Sequence, residues 1–332
     1  MYGNRQRKKS MATIHITIDG KAIEAKPGMT ILEVAREANI HIPTLCYHPS
    51  LPPDGACRVC LVQVKGSPTL QTACTFPVSN GMEVLTDAPE VKLARRTVVE
   101  LLLADHPLDC MTCESAGNCE LQDLAYEMNI ERSQFPPSAE PRPVDPDPNP
   151  MIRWDMNKCV LCRRCVRACH HITGADILTV SDRGFPAMIS TAFGEKLEDA
   201  ACEFCGQCVQ FCPVNAISEK IPRRKAREWE TKKVRTTCAY CGCGCNLELH
   251  VKDNEVVKVE GYFGAKANEG ATCVKGRFGY DYINHPDRLT TPLIRKNGEL
   301  VESTWGEALD VVAKKFGQIK EEHGADALAV LT

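Results

Sequence analysis

The chain has 332 residues, 20 of them cysteine, with a formal net charge of −3 and 25% charged residues. That length admits two or more domains with several small cores, and the near-neutral charge offers no global basic field to attract nucleic acid. The basic start from Arg5 to Lys9 lacks the apolar run of an export signal, and the longest mostly apolar stretch, Val98 to Ala104, is too short to span a bilayer. The expectation is a soluble, cytoplasmic chain without a transmembrane segment, with Met11 as an alternative initiator and residues 1–11 as a basic leader.

So many cysteines also suit a secreted disulfide scaffold. Against that stand the length, the lack of an export signal and the repeated C-x2-C pairs, each of which puts two thiolates on one turn, ready for a metal.

In chain order, Ile14 to Ile18 alternates apolar and polar residues, and Asp19-Gly20 is a hairpin turn signal before a second strand, Ala22 to Ala25. Thr30 and Glu33 form a capping-box pattern ahead of a helix from Ile31 to Ala38. Two strands, a helix and a cysteine loop predict a small β-sheet domain over 12–86. An amphipathic helix from Ala88 to Ala104, with Val91, Ala94, Val98, Leu101 and Leu102 on its apolar face, leads into a second cysteine group over 87–134. Residues 135–150 hold seven prolines and no periodicity, which predicts a stiff, extended linker. Over 151–229 the Cys159–Cys169 run recurs at Cys202–Cys212, offset by 43 residues, an internal repeat. A charged connector, Glu228 to Val234, opens the last region, 230–332. There Leu247 to Val251 and Val256 to Glu260 read as strands, and Thr304 and Glu307 cap a helix that runs to about Glu322 and stops at Gly324. Ala327 to Leu331 reads as one more strand.

The cysteines fall into five sets. Cys46, Cys57, Cys60 and Cys74 suit a [2Fe–2S] cluster held by a wrapped loop; a zinc site also takes four cysteines, but the usual two C-x2-C knuckles are absent. Cys110, Cys113 and Cys119 need a fourth ligand, and His106 is the one nearby candidate. Spacing alone leaves open a helix-end histidine, or a zinc site of three cysteines and one histidine. The third and fourth runs match C-x2-C-x2-C-x3-C, and Pro213 completes the second. In such paired runs the fourth cysteine of each serves the other cluster. One [4Fe–4S] set is therefore Cys159, Cys162, Cys165 and Cys212, and the other is Cys202, Cys205, Cys208 and Cys169. His170 and His171 read as ordinary polar residues. The fifth set is Cys238, Cys241, Cys245 and Cys273; Cys243, in the same loop, either replaces Cys245 or packs beside it as a small buried residue.

On the Cys46–Cys74 set, the stretch His106-Pro107-Leu108-Asp109-Cys110 and Cys119-Glu120-Leu121-Gln122, residues from about Thr13 to Gln134 resemble the N-terminal part of the large peripheral subunit of respiratory complex I. The same modules occur in some iron-only hydrogenases. From about Val234 the chain resembles a molybdopterin oxidoreductase, most closely a formate dehydrogenase α subunit, on Cys238-Ala239-Tyr240-Cys241-Gly242, Cys245, Cys273-Val274-Lys275-Gly276-Arg277-Phe278-Gly279 and Ile283 to Arg295. The resemblance implies an α+β multidomain architecture. Its parts are a β-grasp [2Fe–2S] ferredoxin-like domain, a small helical domain with one histidine and three cysteines around a cluster, a two-[4Fe–4S] bacterial-ferredoxin-like domain and an incomplete molybdopterin oxidoreductase α/β region. It also implies that His106 is a ligand and that Cys245 serves rather than Cys243. One [2Fe–2S] and four [4Fe–4S] clusters follow, with molybdenum or tungsten bis-pterin guanine dinucleotide only in an intact, longer protein. Lys275 would lie between the last cluster and the pterin. The family's catalytic metal ligand falls beyond the region matching Thr332, so no catalytic residue is expected here and the chain reads as an N-terminal portion. Electrons from formate would enter at the Cys238 cluster and pass the ferredoxin-like pair. They would leave by the His106 and Cys46 clusters towards a flavin- and NAD-binding subunit or a ferredoxin. A stand-alone electron carrier, a hydrogenase subunit and an NADH dehydrogenase subunit are the alternatives.

Overall fold

The computed structural model describes residues 13–138, 140–220 and 226–330. The expected basic leader and Leu331 lie outside them. Strand β1 (Ile14–Ile18) and β2 (Lys21–Ala25) form the expected hairpin, with Asp19 and Gly20 both at positive φ (48° and 79°). These are the left-handed conformations that a tight two-residue turn requires. Helix α1 (Ile31–Glu37) begins with the full capping box: Glu33 N–H donates to Thr30 Oγ1 at 3.3 Å and Thr30 N–H to Glu33 Oε2 at 2.7 Å. Strands β3 (Leu61–Val64), β4 (Gln71–Thr72) and β5 (Glu83–Leu85) complete a sheet of order β2-β1-β5-β3-β4, in which β1 and β5 run parallel. Ile16, Ile18, Ile31, Leu32, Val62 and Val84 close its core against α1.

Helix α2 (Pro89–Ala104) buries Val91, Arg95, Val99 and Leu103. The buried face is displaced around the helix from the expected one: Leu101 is 52% exposed. The inward position belongs to Arg95 instead, whose Nε donates to the Leu61 carbonyl at 2.8 Å. A second helix, α3 (Glu120–Glu127), follows the Cys110–Cys119 loop.

The proline-rich segment has no regular structure, as expected, yet it is a strap rather than a free spacer. Arg142 donates to the carbonyls of Phe185 and Ala187, both at 3.0 Å, and Asp147 accepts from Leu197 N–H at 2.8 Å. Beyond it β6 (Ile152–Trp154) pairs with β9 (Ile217–Glu219), which joins the two ends of the duplicated region. Between them lie α4 (Arg164–Ala168), a π turn over Cys169–Thr173, the β7 (Leu178–Ser181)–β8 (Met188–Thr191) hairpin and α5 (Gln207–Gln210). One apolar cluster runs through this region into the first: Leu45, Val59, Val99 and Leu121 share it with Trp154, Val160 and Ile189.

The expected charged connector is a short 3₁₀ turn, Glu228–Glu230, followed by β10 (Lys232–Thr237), the edge of a sheet with β11 (Asn246–Lys252) and β12 (Glu255–Gly261). All six β10 residues are exposed, and lysine and arginine on an edge strand discourage further pairing. Helix α6 (Val274–Phe278), the hairpin β13 (Leu293–Lys296)–β14 (Glu299–Glu302) and α7 (Trp305–His323) follow. Thr304 caps α7 as expected and Gly324 ends it at φ 83°. Residues 328–330 form no strand; a 3₁₀ turn, Ala325–Ala327, takes part of the predicted span. No helix among the described residues is long and apolar enough to cross a membrane.

Candidate metal centres

None of the 20 cysteines is in a disulfide. The α1–β3 loop brings in Cys46, Cys57 and Cys60, and Cys74 arrives just after β4; all four are buried. Cys46 N–H points at Cys57 Sγ (3.3 Å) and Cys57 N–H at Cys46 Sγ (3.5 Å). Hydrogen bonds from Cys57 and Cys74 draw the Cys46 thiol down to about 2, and that from Cys74 lowers Cys60. The donors Cys57 and Cys74 are pushed up in return. Four sulfurs sharing protons in one dry pocket fit a bound metal group.

The two repeated runs share a backbone device. Leu161 and Arg163 lie at positive φ (49° and 58°) between the cysteines of the first, and Phe204 and Gly206 (50° and 73°) at the equivalent positions of the second. Left-handed leucine and phenylalanine cost about 1–3 kcal/mol each and persist where the surroundings over-determine them. Here they turn successive cysteines towards one centre. The structure groups the fourth cysteines crosswise. A small apolar cavity is lined by Cys159, Cys162, Cys165 and Cys212, whereas Cys208 neighbours Cys205, Cys202 and Cys169. The π turn that starts at Cys169 presents its sulfur to Ile177 N–H at 3.3 Å; such turns recur at functional sites. His170 and His171 are exposed.

Burial holds the Cys119 and Cys159 thiols at about 11 and Cys162 at about 12, and Cys165 and Cys208 well above the ordinary value. Such thiols keep their protons until a metal's charge draws them off as thiolates. Cys110, Cys113 and Cys119 adjoin one another, and His106 Nδ1 is buried without a hydrogen-bond partner among the described residues. A buried, unpartnered imidazole nitrogen four residues before the first of three neighbouring cysteines fits a fourth ligand.

The fifth set is more open. Cys245 Sγ lies 3.5 Å from Cys243 Sγ and also adjoins Cys238 and Cys241. Cys243 is exposed, so it is not the small buried residue that its alternative reading required. Cys273 caps α6, and Lys275 on that helix is exposed.

Sequence reasoning missed the residues that tie the sets together, because buried arginine and lysine look like surface charge in a sequence. Arg167 donates to the carbonyls of Pro52 and Cys46, and at 3.3 Å to that of Cys162. Arg164 holds Tyr47 O (2.7 Å) and Glu120. Arg277 is fully buried; its Nη1 donates to Gln210 Oε1 at 2.7 Å. A Cβ at Gly206 would sit 2.7 Å from its Cγ, so glycine serves both the turn and this approach. Thr272 Oγ1 donates to the Cys205 carbonyl at 3.1 Å, one residue before Cys273.

A second network holds the last sheet. His250 is 1% exposed, with Glu260 Oε2 3.0 Å from Nε2 and Glu228 Oε2 3.5 Å from Nδ1. Glu248, His250 and Glu260 have ligand atoms close together, but Lys233, Arg235 and Lys258 pair with the surrounding carboxylates, so the group reads as an ion-pair network. Burial opposes charge on His250, yet Glu228 and Glu260 outweigh it and raise its pKa; the bond to His250 holds Glu228 at about 2. A raised pKa stabilises the fold fully below the ordinary histidine value of about 6.5 and fades as pH climbs through the folded one. The unfolding midpoint of the wild type should therefore fall relative to His250→Gln as pH rises above about 6.5. A constant difference would remove this role.

Family models match the chain in the order of the cysteine sets. They are a 2Fe-2S iron-sulfur cluster binding domain (11–89), an NADH-ubiquinone oxidoreductase-G iron-sulfur binding region (95–134) and an NADH-quinone oxidoreductase subunit 3 ferredoxin-like domain (149–218). A molybdopterin oxidoreductase Fe4S4 domain (231–285) and molybdopterin oxidoreductase (288–332) follow. The chain belongs to the NADH-quinone oxidoreductase G-like, molybdopterin oxidoreductase family of iron–sulfur proteins. This G-like chain is 37% identical over 316 residues to the NADPH-Fe(3+) oxidoreductase subunit alpha of Geobacter sulfurreducens, covering 95% of itself and 36% of that protein. It is 32% identical, over 96% of itself and 36% of the relative, to a Staphylococcus aureus protein provisionally named formate dehydrogenase. It thus spans about a third of the length of these curated relatives. A crystal structure of an NAD+-reducing [NiFe]-hydrogenase matches 63% of this chain and 88% of its own, at 34% identity and a TM-score of 0.59. The G-like chain carries [2Fe–2S]- and [4Fe–4S]-binding domains for electron transfer, which decides against zinc for the first set.

Proposed function

We propose that this chain is the electron-carrying part of a formate dehydrogenase that delivers electrons through a partner subunit to a nicotinamide or to a ferredoxin. The ligands are Cys46, Cys57, Cys60 and Cys74 for one [2Fe–2S] cluster and the four sets headed by His106, Cys159, Cys202 and Cys238 for [4Fe–4S] clusters, with Cys245 rather than Cys243 in the last. Bound there, the clusters supply one-electron oxidation and reduction.

The observation that carries the reading is the set of short links between neighbouring sites. Thr272 joins Cys205 to Cys273, Arg167 joins Cys162 to Cys46, and Lys158, peptide-bonded to Cys159, reaches Cys113 Sγ at 3.7 Å. The Cys159 set thus touches both outer sites, so the route branches there rather than running in a single file. Lys275 remains the candidate beside a pterin.

The Geobacter relative favours a second reading, a reductase that passes NADPH electrons to an external acceptor. The longer protein that contains this chain, isolated anaerobically with its native partners, should carry about eighteen iron atoms in the five sets, together with tungsten or molybdenum, and its clusters should be reduced by formate. Reduction by NADPH but not formate supports the second reading; zinc in place of iron sinks both.

A further inference from the structure

Lys158 is a charged residue where charge is costly. Its side chain is 9% exposed, inside the junction between the His106 and Cys159 sets. Asp155 O accepts from its N–H at 3.0 Å, closing the 3₁₀ turn Met156–Lys158 from which the side chain reaches the neighbouring loop. There its Nζ lies 3.1 Å from Asp109 Oδ2, 3.7 Å from Cys113 Sγ and 3.9 Å from Asp155 Oδ2. The Lys158 backbone adjoins the His106 ring. One residue therefore touches two of the four ligands proposed for this site, and its next neighbour, Cys159, is a ligand of the adjoining one. Asn215 Nδ2 approaches the same Cys113 sulfur at 3.9 Å, so two nitrogen donors converge on one sulfur.

Desolvation works against an ammonium in this position, but Asp109, the Cys113 sulfur and Asp155 together outweigh it and keep Lys158 charged. A thiolate-ligated cluster at this site would give that fixed cation a further partner. A cluster held there would gain one negative charge near Nζ on reduction, so the fixed cation would stabilise the reduced form more than the oxidised form. Hydrogen bonds to ligand sulfurs act in the same direction.

Building on the ligand reading above, we propose that Lys158, assisted by Asn215, is a positioning residue that raises the reduction potential of the cluster held by His106, Cys110, Cys113 and Cys119. It thereby makes that cluster an acceptor for electrons from the Cys159 site.

The test is a redox titration of the full chain with its clusters, followed by electron paramagnetic resonance and assigned by the signal that His106→Ala abolishes. Lys158→Gln, which removes the charge and keeps the backbone contact, should move the midpoint of that signal to a more negative potential at unchanged iron content. Lys158→Arg should hold it near the wild-type value. An unmoved midpoint in Lys158→Gln, or an equal shift in Lys158→Arg, overturns the proposal. If Lys158→Gln loses iron, Asn215→Gly decides, because glycine accepts the positive φ of 61° found at that position. A smaller negative shift supports the proposal and none overturns it. If His106→Ala leaves every signal intact, the ligand assignment fails instead.

Discussion

Cys212→Ser should cost the chain about four of its roughly eighteen iron atoms, and the atoms lost should be those of the site built around Cys159, Cys162 and Cys165. The run that contains Cys212 should keep its own cluster. Cys169→Ser should do the reverse, removing the Cys202, Cys205 and Cys208 site. The reason is the crosswise geometry: Cys212 lines the cavity of the first run, and Cys169 adjoins Cys208. Serine preserves volume but replaces a thiolate with a hydroxyl, a poor match for iron that prefers soft sulfur donors. Iron analysis with Mössbauer or paramagnetic resonance spectra of the two variants separates the outcomes. Loss of each variant's own run would refute the crossing.

The second large effect is expected at Arg167. Its guanidinium satisfies three backbone carbonyls, of Pro52, Cys46 and Cys162, from two different modules. Arg167→Ala leaves those acceptors dry, at about 1–3 kcal/mol each. After partial recovery by water, a loss of roughly 3–5 kcal/mol in the docking of the N-terminal module is expected. Arg167→Lys should recover less than half, because one ammonium cannot reproduce the planar fork. Chemical denaturation followed by the visible absorbance of the [2Fe–2S] site gives the measurement. A change below about 0.5 kcal/mol, the level of an ordinary surface substitution, would remove Arg167 from this role.

What the sequence revealed divides along physical lines. Ligand spacing was legible because a metal imposes a fixed local geometry on the chain, and capping and turn signals at Thr30, Asp19-Gly20 and Thr304 were legible because they are local. The strand Lys232–Thr237 was not, since an edge strand made of lysine, arginine and threonine carries no apolar alternation. The face of α2 slipped because the inward position at Arg95 is held by a hydrogen bond to a carbonyl distant in sequence. Over Ala327–Leu331 the apolar pattern alone predicted a strand, and no partner strand pairs with the described part of it. The left-handed backbone at Leu161 and Phe204 was equally hidden, because bulky side chains disfavour it everywhere except where a packed site compels it. Arg164, Arg167, Lys158 and Arg277 define the junctions, and only three-dimensional proximity distinguishes them from solvent-facing charge.

If Cys169 and Cys212 serve each other's sites as proposed, biosynthesis is constrained as well. During synthesis the first repeat leaves the ribosome with only three of the sulfurs that its site requires, and the fourth follows only when the second repeat has been translated. Neither site can be completed by a half-made chain. Delivery of iron to this region must therefore wait for both repeats, and the pair matures as one unit.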